Sequence, residues 1–260
     1  MTNLYNDLGD FFLVLKTRNE TLFYFGLLNL IFAAGLFLVS RFLELEYLGT
    51  HALYKPIKFA LSTTAYTWAM AWFCYYLNSN FHLNAFNWGV ISLLGFEVFY
   101  IALQAFRKLP SHYNTSTPFY SAMFTLMALA ASIVTLWTAY IGILFFIQEF
   151  KDLPRNYLWG IRLGIFIFVI FSFEGFLMGS RMSHTVGASD GTPGVPFLNW
   201  SKNFGDLRIV HFFGMHALQV IPFLSFYILK TVGSVLALSF VYLCLAVLIL
   251  TFSLMGRSLV

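Results

Sequence analysis

Residues 232–255 read VGSVLALSFVYLCLAVLILTFSLM. No Asp, Glu, Lys or Arg interrupts them. At 1.5 Å of rise per residue, a helix of this length crosses the roughly 30 Å hydrocarbon core of a bilayer. A helix apolar on every side must be enclosed by protein or by lipid. Stretches of similar length and character precede it at 21–40, 56–77, 85–106, 118–148, 157–180 and 206–229. Hydrophobic residues make up 59% of the 260-residue chain and charged residues 10%, against about 25% charged in soluble proteins. Too few polar groups remain to cover a sphere, so lipid solvates much of the exterior. The sequence thus predicts an all-α integral membrane bundle of about seven transmembrane helices, contacting the lipid bilayer.

Two units are expected. Residues 1–20 form an interfacial segment, because Leu4, Leu8, Phe11, Phe12 and Leu15 fall at helical spacing. Residues 21–260 form one transmembrane domain. Pro56 and Pro118 sit where a first-turn proline does no harm, and Asp206 after Gly205 reads as an N-cap. We call the face bearing the N-terminus side A and the opposite face side B. Side B holds the connections 41–55, 107–117 and 181–205. The last is rich in turn formers, Gly187, Asp190-Gly191, Pro193-Gly194, Pro196 and Asn199. With Phe197 and Trp200, it is expected to be an ordered lid on the membrane surface.

Several function classes are disfavoured. The net charge of +4 comes without a Lys/Arg block, so nucleic acid is not an expected partner; basic residues at helix ends serve topology and headgroup contact. Cys74 and Cys244 lie in apolar runs without CxxC or CxxCH spacing, which argues against a disulfide framework or covalently attached haem.

Ionisable groups within spans are costly and mark candidate sites. Glu97 and His216 each lie about 15 Å below side B, and Glu174 and His211 about 8–9 Å below it. Depth therefore pairs Glu97 with His216 and Glu174 with His211, with Lys58 joining the shallower level. The expected catalytic residues are Glu97, Glu174 and Lys58. His184, His211, His216 and Arg208 are expected to bind a cofactor, and His211, His216, Glu97 and Glu174 to ligate a metal. His211 and His216 are five apart, about 140° around a helix, so they cannot stack on one ion as an HxxxH pair does. The reading preferred from sequence is a metal- or haem-binding membrane oxidoreductase or metalloenzyme, with a transition metal or b-type haem as cofactor. One alternative is a proton-coupled transporter, although no inverted repeat or broken helix is visible. Another is an enzyme acting on an anionic lipid or amphiphile. Lys55, Lys58, Arg208 and the start of the sixth span would hold an anionic lipid or small anionic ligand at the side-B mouth. Structural hydrogen bonding and an assembly role also account for buried polar pairs.

The strings KPIKFALS (55–62), LQAFRKLPSHYN (103–114) and SHTVGASDGTPGVPFLNWSKNFGDLRIVHFFGMHALQ (183–219) resemble a family of bacterial polytopic membrane proteins to which no activity is assigned. The resemblance implies a bacterial inner-membrane setting and nothing mechanistic. Retinal proteins are a poorer match, since 232–255 lacks a lysine. So are zinc-dependent membrane hydrolases with an HxxxH pair, since this spacing is HxxxxH.

Overall fold

The computed structural model describes residues 8–77 and 82–260; Leu4 and most of the connection after 77 lie outside them. The chain order is α1 (Leu8–Arg18), α2 (Glu20–Val39), β1 (Glu46–Tyr47), β2 (Thr50–His51), α3 (Tyr54–Cys74), α4 (Leu83–Phe106) and α5 (Pro118–Ile147). It continues with α6 (Arg155–Arg181), β3 (Thr185–Val186), β4 (Gly205–Asp206), α7 (Leu207–Met215), α8 (Ala217–Tyr227) and α9 (Val232–Leu254). The start signals act as read. Thr117 caps α5 by accepting from the Tyr120 amide at 3.2 Å, with Pro118 next to it.

Among the described residues, six segments are long and apolar enough to cross a membrane: α2, α4, α5, α6, α7 with α8, and α9. The protein is a helical multi-pass membrane protein. The expected count of seven is not reached because α3 is less apolar, though it has 21 residues. The reason is its position. α3 packs against α1, α2, α4 and α8, and Thr63, Thr64, Tyr66 and Thr67 are buried against protein rather than facing lipid. Thr64 donates to Gly26 O at 3.0 Å, and Tyr66 shares a 2.7 Å hydrogen bond with Thr138. A helix enclosed by other helices satisfies its hydroxyls within the bundle. The outermost spans, α9 and α2, are the most apolar.

α1 packs on α3 through aromatic contacts, with Phe11 stacked on Trp72 at 5.4 Å and Leu15 fully buried. Arg18 lies 3.7 Å over Trp72 and donates to Tyr76 Oη at 2.8 Å.

The expected sixth span is broken, contrary to the sequence reading. It divides at His216, whose carbonyl accepts from both Gln219 (3.0 Å) and Val220 (2.9 Å). Pro222 lies inside α8 and has no N–H to return to Leu218, which loosens the turn after the break. Glycines bring α6 against this broken helix. A Cβ on Gly160 would stand 2.4 Å from Ser225 Oγ, one on Gly164 2.8 Å from Ala217 O, and one on Gly214 2.1 Å from Phe171. Small residues at these positions are a steric requirement of the α6–α7–α8 contact.

Side B carries short hydrogen-bonded pieces. β1 pairs antiparallel with β2, and β3 with β4 in the register Thr185↔Asp206 and Val186↔Gly205. Between β3 and β4, Val195 donates to Trp200 O at 2.9 Å and Lys202 to Pro193 O at 3.1 Å. Gly205 runs so close to α9 that a Cβ would fall 2.0 Å from Ser253 O.

Candidate functional site

The polar residues of side B gather where α3, the 107–117 connection, α6, the 182–206 connection and α7 meet. Asp206 is the hub. As N-cap of α7 it accepts the Arg208 amide at 3.0 Å. The same carboxylate takes Arg208 Nε (2.9 Å), Arg208 Nη2 (2.6 Å) and the Ser201 amide (2.9 Å). Its side chain is wholly buried. Burial opposes the charge, but the hydrogen bonds and charge of Arg208, helped by the Ser201 amide, outweigh it and hold the carboxyl below its usual range.

His184 follows α6. Its Nδ1 stands 3.2 Å from Asp190 Oδ1 and 3.9 Å from Asp206 Oδ1. Burial first, and the Arg208 charge second, bring this imidazole down to about 4, so it is neutral at pH 7. Asp190 accepts Ser183 Oγ at 2.7 Å and the Thr185 amide at 3.0 Å. These contacts and His184 overcome its burial and keep it ionised below the usual carboxylate range.

Lys55 Nζ lies 3.3 Å from His112 Nδ1. Among the described residues, no carboxylate oxygen stands within 4.0 Å of Lys55. Burial, then the Lys55, His211 and His184 charges, push His112 well below its ordinary value. The chain reaches this position through left-handed residues, Lys108 at φ 54° and Tyr113 at φ 59°.

The connection also contacts the cations directly. Lys58 donates to Leu198 O at 2.8 Å, and Arg208 Nη2 donates to Asn199 O. Phe197 (φ 66°) and Asn199 (φ 57°) are both left-handed, a conformation costly for phenylalanine and tolerated by asparagine. The segment spends that strain on turning two carbonyls toward Lys58 and Arg208.

The four residues expected to ligate a metal do not converge. Glu174 and His211 meet, with Oε2 3.2 Å from Nδ1, as their depths imply. His216 instead faces Gln219 Oε1 at 3.2 Å and packs edge-on against Phe212. Glu97 is buried on α4, and its Oε1 has no hydrogen-bond partner among the described residues. The Glu97–His216 pair is therefore corrected: α4 packs on α2, α3 and α5, whereas α7 and α8 pack on α6, α9 and, from α8, α3. Among the described residues, no three His, Cys, Asp or Glu side chains are grouped to hold an ion.

Glu97→Leu is accordingly expected to leave thermal stability in detergent unchanged or to raise it by about 1 kcal/mol, since a buried carboxyl oxygen without a partner costs more than an apolar group of similar shape. A melting temperature several degrees lower would mean that Glu97 holds a partner.

Sequence reasoning underrated Lys55, His112, Asp190 and Asp206. Lys55 was named for the side-B mouth and Asp206 as an N-cap, whereas the signal for His112 and Asp190 was their density on side B. No family model, no curated protein and no solved structure matches the chain.

Proposed function

We propose that the protein is a membrane-embedded enzyme whose side-B site binds the anionic head of an amphiphile and moves a proton to or from it. One observation carries this reading: Lys55 is a cation at a part-buried polar crossing, with His112 at 3.3 Å and, among the described residues, no acid at ion-pair distance. Such a cation is stabilised by an anion from outside the chain. Arg208 is already matched by Asp206, and Lys58 rests on the Leu198 carbonyl. The positive charge left for a ligand therefore centres on Lys55.

Two further imidazoles, near enough to His112 to act on it electrostatically, each stand against a carboxylate: His184 by Asp190 and His211 by Glu174, both at 3.2 Å. A carboxylate at one ring nitrogen fixes the tautomer and leaves the other nitrogen to give or take a proton. In this reading Lys55 and Lys58 bind the head group, while His184 and His211 act as acid and base. The strained carbonyls of 198 and 199 hold the 182–206 connection over the cations until the ligand takes their place. Glu97 and His216 have no part in it. The metal- or haem-centred alternative has less support, because Glu174 and His211 meet while Glu97 and His216 do not join them, and among the described residues no three donors are grouped.

A proton-coupled carrier gains from the break at His216, since transporters build sites at interrupted helices. Proton uptake driven by an anionic amphiphile in proteoliposomes would favour it over an enzyme, which releases a changed product.

The test uses purified protein in nanodiscs with oleate and lysophosphatidate as charged probes and monoolein as the uncharged one. A charged probe at a hundred times its Kd is expected to stabilise the wild type by about 2.7 kcal/mol. The effect should be absent with monoolein and lost in Lys55→Gln. Equal stabilisation of Lys55→Gln by the charged probes would end the proposal.

A further inference from the structure

On side A, remote from the site just described, the connection after α5, the first turns of α6 and the start of α9 line an open cavity of ≈ 630 Å³. Lys151, Arg155 and Arg162 line it, with Glu149 as the opposing acid. None of the three cations has a carboxylate oxygen within 4.0 Å among the described residues. Arg162 is the informative one. It stands seven residues past Arg155, about 10 Å along α6, within a span that crosses the membrane. Its Nε donates to Phe145 O at 2.8 Å, which caps the last turn of α5. That bond accounts for one face of the guanidinium only. Its two Nη groups donate to nothing among the described residues, while Trp159 (5.2 Å) and Phe146 (4.9 Å) shelve the group from below. α6 begins at Pro154 without a side-chain cap, so its first amides add positive potential at the same spot.

We infer that this cavity binds the phosphate head group of an anionic phospholipid, and that Arg162, Arg155 and Lys151 hold it. A lipid fits better than free phosphate because the cavity opens beside apolar flank. Ile143, Phe146, Ile147 and Phe166 are exposed on α5 and α6 next to it, where acyl chains run when the head group is seated. Basic pockets between spans, floored by an interfacial tryptophan, take anionic head groups in this way. An unpaired arginine one turn or more inside a span gains a counterion from a lipid that the bilayer itself supplies.

The experiment is native mass spectrometry of the purified full chain, titrated with phosphatidylglycerol, cardiolipin, phosphatidylcholine and inorganic phosphate. The wild type is expected to retain the two anionic lipids at least ten-fold better than phosphatidylcholine and to retain no inorganic phosphate. Lys151→Gln/Arg155→Gln is expected to weaken the anionic lipids by about 30-fold, from roughly ten-fold or less per cation lost. Arg162→Gln, which removes one cation, should weaken them by about five-fold. If loss of its bond to Phe145 O unfolds that variant, the Lys151/Arg155 pair still decides the matter, since among the described residues neither side chain forms a hydrogen bond or ion pair. Lys202→Gln, on side B, is the control expected to change nothing. Undiminished anionic-lipid binding in the double variant overturns the proposal, as does equal retention of phosphatidylcholine. Inorganic phosphate bound as well as the lipids would overturn the assignment to lipid. Oleate binding at Lys55 is read separately, so either site can fail alone.

Discussion

Asp206→Asn is expected to be the most damaging isosteric change in the chain, costing about 3 kcal/mol of stability. The substitution keeps the shape and the N-cap oxygen, so little is lost in packing or capping. What it removes is the charge opposite Arg208, whose guanidinium meets both carboxylate oxygens, at 2.9 and 2.6 Å. Breaking a buried ion pair from one side leaves the other charge desolvated, at about 3–5 kcal/mol. Because Arg208 is 26% exposed on its side chain, water recovers part of this, and the lower end of that range applies. The Ser201 amide and β4 share the same carboxylate or its backbone, so the 182–206 connection should loosen as well. Denaturant unfolding in detergent measures the loss, and limited proteolysis within 187–203 reads the loosening. A double-mutant cycle with Arg208→Gln isolates the pair, with an expected coupling of about 2 kcal/mol. An Asp206→Asn variant as stable as the wild type would mean that Arg208 is solvated or otherwise matched, and the account of the hub would fall with it.

How much of this was legible depends on what each signal encodes. Apolar run length reports the need for lipid directly, so α2, α4, α5, α6 and α9 follow from it. α3 shows the limit of that argument. A helix ringed by other helices is freed from contact with lipid, so Thr63, Thr64 and Thr67 dilute its hydropathy without moving it out of the bundle. Depth counting found Glu174–His211 because α6 and α7 adjoin. It failed for Glu97–His216 because height within a membrane says nothing about which helices touch; that depends on packing surfaces such as Gly160, Gly164 and Gly214, whose partners lie far off in sequence. The break at His216 was hidden inside an apolar run in which Pro222 was the sole mark. Lys55–His112 was hidden for another reason: it rests on left-handed turns at Lys108 and Tyr113, where neither residue type favours that conformation.

Acid should release side B before it touches the rest of the bundle. Two imidazoles outside the spans are held neutral, His184 down at about 4 and His112 well below 6.5. In the unfolded chain each would take up a proton near its ordinary value of about 6.5. A group whose value is lowered by folding stabilises the native state above the unfolded value, and that contribution is lost as pH falls toward the folded one. The window for His184 is therefore pH 6.5 to about 4, where each histidine removes up to about 1.4 kcal/mol per pH unit. The lowered carboxyls of Asp190 and Asp206 act the same way but only below their ordinary value of 3.8, so the two sets separate on the pH axis. Melting temperature from pH 7.5 to 4.5 should fall in the wild type and flatten in His184→Gln, with a further flattening in His184→Gln/His112→Gln. An equal slope in all three proteins would show that these rings already carry protons in the folded state. They would then face Lys55 and Arg208 as like charges, and neutral acid–base chemistry at this site would have to be abandoned.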